Sequence, residues 1–125
     1  MKDKNIAILG LTYKPNTDVV EESASMKIAQ ALLQDGAQLS VYDPAAMNNA
    51  RKVLGEGVKY ARSVEECLKG MEFCILATPW DEFKNLKYED FRKCMKKPVL
   101  LDCWRIFDRA ELSQKLGYFA IGLAL

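Results

Sequence analysis

The stretch Gly10-Leu11-Thr12-Tyr13-Lys14-Pro15-Asn16-Thr17-Asp18 decides how this chain is read. It follows the apolar run Ile6-Ala7-Ile8-Leu9 and precedes an amphipathic segment from Glu22 to Gln34. Strand, loop and helix in that order open a nucleotide-binding α/β fold. The loop itself is not a phosphate cradle. The pattern G-x-G-x-x-G lets backbone approach a pyrophosphate, whereas here Gly10 stands alone, followed by bulky Tyr13 and charged Lys14. No Gly-Lys-Ser/Thr occurs in the stretch, so a Walker-type loop is excluded.

Further strand patterns recur at Gln38–Tyr42, Val58–Ala61, Phe73–Ala77, Val99–Asp102 and Phe119–Gly122. Cys74-Ile75-Leu76-Ala77 and Val99-Leu100-Leu101 are continuously apolar, as in strands buried on both faces of a parallel sheet. Between them lie helical patterns. Ala24, Ile28, Ala31 and Leu32 repeat at helical spacing, with Gly36 placed to end that helix. Ser63 followed by Glu66 is a capping-box signal for a short helix that Gly70 closes. Tyr88–Met95 and Asp108–Leu116 supply two more helices, the second closed by Gly117. Alternating strands and helices predict a single-domain, doubly wound, Rossmann-like α/β fold. Its six parallel strands fit the order 3-2-1-4-5-6.

Composition narrows the function classes. With 125 residues, half of them hydrophobic and 28% charged, the chain is long enough for one core. A formal net charge of +1 gives no reason to expect nucleic acid. The four cysteines (Cys67, Cys74, Cys94, Cys103) form no C-x-x-C pair and there is no histidine, so no metal site is expected. Reduced thiols suit a cytoplasmic protein. No apolar run reaches the roughly 18 residues of a membrane span, and no signal peptide is visible before the first strand.

A ligand of such a sheet sits beyond the carboxyl ends of the strands, at the switch point between the first and fourth. Three loops meet there: Thr12–Asp18, Thr78-Pro79-Trp80-Asp81 and Cys103-Trp104-Arg105. Lys14 and Arg105 are two cations, and Tyr13, Trp80 and Trp104 three rings, which suits an anionic ligand carrying a ring, such as a nucleotide sugar. Each residue also has a plainer role open to it. Lys14 is then a solvated loop charge, Trp80 and Trp104 cover the end of the core, and Arg105 pairs with Asp102 or Asp108. Asp43, where a dinucleotide fold places its ribose-binding acid, is read as a turn former with Pro44. Cys103 is the one thiol at the mouth of the crevice.

These residues resemble the UDP-glucose/GDP-mannose dehydrogenase family. Gly10–Ser23 is similar to the F-K-x-x-T-x-D-x-R-x-S-P signature that opens its C-terminal domain, and the likeness continues through Val41-Tyr42-Asp43-Pro44, Thr78-Pro79-Trp80-Asp81-Glu82-Phe83, Leu101-Asp102-Cys103-Trp104-Arg105 and Ile121-Gly122. Lys14, Thr17 and Ser23 fit, and Tyr13 replaces a Phe. Val19, Glu21 and Ala24 stand at the signature Asp, Arg and Pro. That Arg is the family's NAD contact from this domain, and a carboxylate at Glu21 would repel a pyrophosphate. Where many members read D-G-R, Trp104 falls at the substrate-binding arginine, and Arg105 follows one position along.

The resemblance implies that residues 1–125 are a C-terminal UDP-sugar-binding domain, with Tyr13, Lys14, Trp104 and Arg105 towards the substrate. The parent would oxidise the C6 hydroxyl of a UDP-sugar to a carboxylate. It would hold NAD mainly in an N-terminal domain, keep its catalytic cysteine, lysine and aspartate in a central domain, and form a homo-oligomer. None of those catalytic motifs occurs here, so this chain alone is expected to be inactive. The alternative is a stand-alone nucleotide-binding or regulatory module that kept the fold without catalysis.

Overall fold

The computed structural model describes residues 2–21, 23–95, 98–107 and 117–120. Among them, six strands form one sheet: β1 (Asn5–Leu9), β2 (Gln38–Tyr42), β3 (Lys59–Tyr60), β4 (Phe73–Leu76), β5 (Val99–Asp102) and β6 (Gly117–Ala120). The order is β3-β2-β1-β4-β5-β6 and every pairing is parallel, as the strand and helix alternation predicts. β1 and β4 are neighbours, with Leu9 opposite Leu76, so the chain reverses its winding at their carboxyl ends. No described helix is long and apolar enough to cross a membrane.

Alternation within the strands creates two cores. Ile6 and Ile8 of β1 face helix α1 (Ala24–Gln34) and helix α2 (Met47–Leu54), joining Met26, Ala29, Leu39 and Ala50 in one buried cluster. Ala7 and Leu9 point the other way, to Cys67, Leu68, Leu76, Phe83, Phe91 and Leu100. That second layer is built by α3 (Val64–Leu68), α4 (Asp81–Lys84) and α5 (Tyr88–Cys94). Phe83 and Phe91 are fully buried there, each a large apolar contribution of the kind that costs about 3–5 kcal/mol when truncated to alanine.

The helix starts follow from side-chain capping. Ser23 accepts from Met26 N at 3.3 Å, which stops α1 two residues inside the predicted Glu22 boundary. Ser63 accepts from Glu66 N at 3.1 Å, and the Glu66 carboxylate accepts from Arg62 N at 3.0 Å, so both residues of the capping signal are used. Two helices lie where the sequence pattern predicts none. α2 buries only Ala50, and α4 is a single turn, so neither has an apolar repeat long enough to read. β3 is shorter than predicted, although Ala61 N still donates to Val41 O at 3.0 Å. β6 begins at Gly117, two residues earlier than expected. The expected helix Asp108–Leu116 and the pair Ile121-Gly122 lie outside the described residues.

Gly10 is fixed by packing rather than by a ligand. Its φ is 94°, and a Cβ built there would lie 2.4 Å from Thr78 Cβ, closer than atoms can approach. Gly10→Ala should therefore destabilise the chain by about 2–5 kcal/mol, combining left-handed strain with an overpacked contact. Urea unfolding of the variant against the parent chain measures this, with a lowered midpoint and an unchanged slope expected.

Candidate functional site

The three loops at the switch point are tied to one another by hydrogen bonds. Thr78 Oγ1 donates to Thr12 O at 2.7 Å, joining the loop after β4 to the loop after β1. Trp104 Nε1 donates to Ala77 O at 2.8 Å, and Cys103 N to Leu76 O at 3.1 Å, joining the loop after β5 to the end of β4. At the end of β2 stands Asp43, whose side chain is buried. Its Oδ1 accepts from Ala45 N at 2.8 Å and Ala46 N at 3.0 Å, the turn-forming role expected of it. Its Oδ2 accepts from Leu11 N at 2.8 Å and Trp80 Nε1 at 3.1 Å. Pattern reading missed those last two bonds, because they join residues 32 and 37 positions apart.

Asp102, also buried, acts in the same way at the end of β5. Its carboxylate accepts from Trp104 N at 3.1 Å, Phe107 N at 3.1 Å and Tyr118 Oη at 2.7 Å. No ion pair joins it to Arg105 among the described residues. Asp108, the other partner considered for Arg105, lies outside them. Arg105 is exposed and holds a left-handed φ of 55°, a conformation that long side chains rarely adopt.

Both tryptophans are partly buried against the α3–α5 core, and both commit their indole N–H to protein acceptors. They cover the end of the core. Tyr13, by contrast, is 44% exposed, with Lys14 Nζ 5.4 Å from its ring centroid in cation–π contact. Thr12 Oγ1 donates to Lys14 O at 2.8 Å and fixes that part of the loop. Tyr13, Lys14 and Arg105 thus remain presented to solvent from loops whose bases are held. Glu21 is exposed as well, beside a cavity of about 170 Å³ formed by Val20, Ser23, Lys27, Gln30 and Val53.

Elsewhere, a cleft of about 290 Å³ between α3, α4 and α5 is lined by Glu65, Glu82 and Asp90, a charge set that repels anions. Glu82 also receives the Tyr42 hydroxyl at 3.0 Å on each oxygen. Burial, with that carboxylate beside it, pushes the Tyr42 phenol up to about 12. Cys103 does not serve as a crevice thiol: its side chain is buried, and burial with the neighbouring Asp102 carboxylate pushes it up to about 11.

The profile of the UDP-glucose/GDP-mannose dehydrogenase family, UDP binding domain, matches residues 7–109, taking in all three loops. The chain belongs to that family. It is 37% identical over 123 residues to a UDP-glucose 6-dehydrogenase of Rhizobium meliloti (strain 1021), covering 98% of this chain and 28% of that protein. A UDP-glucose 6-dehydrogenase of Rickettsia felis is 38% identical over 128 residues, again with 28% of its own length covered. A solved UDP-glucose dehydrogenase of the archaeon Pyrobaculum islandicum superposes with a TM-score of 0.79 at 32% identity, over 99% of this chain and 26% of that one. The chain therefore spans little more than a quarter of the relatives it matches.

Set against the family signature, the β1 loop does not fit a dinucleotide. Its one glycine is used to pack against Thr78, the acid of β2 is used on protein donors, and Glu21 stands where the signature has arginine.

The thiols offer a direct check on this geometry. Cys67, Cys74 and Cys103 are buried and Cys94 is half-buried, and burial raises the pKa of all four. Iodoacetamide should label Cys94 alone in the folded chain, faster as pH rises and its thiolate forms. All four should react after denaturation. Mass spectrometry of the labelled chain reads the count.

Proposed function

We propose that this chain is the UDP-sugar half-site of an NAD-dependent nucleotide-sugar 6-dehydrogenase, with the nucleotide seated at the β1/β4 switch point. The observation that carries the reading is the presentation of Lys14 and Arg105 from tied loops at that point, in a chain of the UDP binding family. Tyr13 offers a ring face beside Lys14. Arg105 supplies the planar fork that suits phosphate or sugar oxygens, next in sequence to Trp104, which is packed on the core. A bulky residue held at positive φ costs roughly 1 kcal/mol or more. Arginine rather than glycine at that backbone conformation favours a role for its side chain.

The residues present do not fit NAD, so cofactor binding, the catalytic cysteine and hydride transfer are assigned to other domains of a parent enzyme, which would assemble as a homo-oligomer. The chain alone would be inactive in the cytoplasm. A nucleophile would have to be an accessible thiolate at the site. Three thiols are buried, and the half-buried Cys94 ends α5 beside Gly70, at the end of the sheet opposite the three loops.

Amide NMR titration of the chain with UDP tests the reading. Shifts should concentrate in Thr12–Asp18, Thr78–Asp81 and Cys103–Arg105, and a titration that leaves those amides unmoved contradicts it. Lys14→Ala should leave Tm almost unchanged while weakening UDP roughly tenfold to a hundredfold, the loss of one charge-assisted contact.

Arg105 gives a sharper separation. Arg105→Gly should match or raise stability, by up to about 1 kcal/mol, because glycine accepts the left-handed backbone. The same change should weaken UDP binding, and Arg105→Lys should weaken it too by losing the planar fork. Thermal unfolding and the UDP titration read the two effects, and an unaltered affinity in Arg105→Lys would return Arg105 to a surface charge.

A further inference from the structure

The Asp43 carboxylate has no cation beside it among the described ion pairs, yet it is buried and accepts four N–H donors from three segments. Two donors fill each oxygen, and Thr12 Oγ1 lies a further 3.5 Å from Oδ2. A carboxylate so occupied has no lone pair left for a ribose hydroxyl. Its effect passes instead through what it holds. Leu11 N is the root of the loop that carries Tyr13 and Lys14, and Trp80 is the ring of the loop after β4.

We propose that Asp43 is a positioning residue of the nucleotide site, setting where Lys14 is presented without touching the ligand. The proposal rests on the UDP reading above. Carboxylate chemistry is essential to it, because every group facing Asp43 is a donor. Asparagine has nearly the same shape, but its amide nitrogen would face either the Ala45 and Ala46 pair or the Leu11 and Trp80 pair. Two N–H bonds would be lost and replaced by donor-to-donor contact. With the nitrogen towards Leu11 and Trp80 the loop root is released directly. With it towards Ala45 and Ala46 the side chain is pushed off the turn that anchors it and draws away from Leu11 N. The strand beneath stays paired in both cases.

The test is a double-mutant cycle of Asp43→Asn and Lys14→Ala, read as UDP affinity by amide NMR on the 125-residue chain, with thermal unfolding run on each variant. Asp43→Asn should unfold cooperatively at lower Tm and bind UDP at least about tenfold more weakly. In that background Lys14→Ala should cost much less than it does in the parent chain, because the lysine is already misplaced. A general loss of stability would leave the two effects additive, and additivity overturns the proposal, as does parental affinity in Asp43→Asn. If Asp43→Asn does not fold, Trp80→Phe replaces it, deleting one donor to Oδ2 and keeping a ring. Weakened affinity with the same dependence on Lys14 supports the proposal, and unchanged affinity overturns it. Failure of the parent chain to bind UDP overturns the nucleotide reading itself, and this proposal with it, before any variant is compared.

Discussion

A buried carboxylate is costly unless every lone pair is met, and in this fold that requirement holds together the loops at the switch point. Asp43 ends β2, but its partners come from the turn that follows, from the loop after β1 and from the loop after β4. Breaking any of these bonds would leave a buried charge short of a donor, a larger loss than an exposed hydrogen bond represents. The positions of three loops are therefore coupled through one side chain. Thr78, bonded to Thr12 O and pressed against Gly10, closes the same link from the other side.

Asp102 repeats the device one strand beyond β4. Its oxygens are taken by Trp104 N, Phe107 N and the Tyr118 hydroxyl, which binds the loop after β5 to β6. The two aspartates stand at the carboxyl ends of strands on either side of the switch point, each facing inward to neutral donors. Neither charge is directed at the crevice. The cations Lys14 and Arg105 are left outside this network, on backbone that the network holds. Preorganisation of that sort lowers the ordering cost of binding, since the loops need not be frozen when a ligand arrives.

Periodicity and turn chemistry were enough to read the strand order, because six short apolar runs separated by helical repeats leave few parallel arrangements open. The Ser63 cap was legible for a local reason, since cap and partner lie three residues apart. The Ser23 cap is as local, but it lies inside the segment read from Glu22 and is seen only in the structure. α2 and α4 were not legible, for they bury too little to leave a repeat. The meeting of the three loops followed from topology alone. What each side chain does there did not. Trp80 and Trp104 read equally as stacking faces or as core cover, and only their N–H partners, Asp43 and Ala77 O, distinguish the two. Cys103 read as a crevice thiol because sequence position fixes the loop but not the direction in which a side chain turns from it.

The switch point of a doubly wound sheet gives two features to a dinucleotide: glycine at the end of β1 and an acid at the end of β2. Both residue types are present here, and both are turned inward. Gly10 admits Thr78 where a pyrophosphate would need access, and Asp43 accepts amides where a ribose would donate hydroxyls. Once those two features serve the protein itself, affinity for an anion at this point has to come from side chains displayed above the rim. Tyr13, Lys14 and Arg105 occupy that level. In the proposed reading the same topology would serve a site of a different kind, in which backbone supplies position and exposed cations supply attraction.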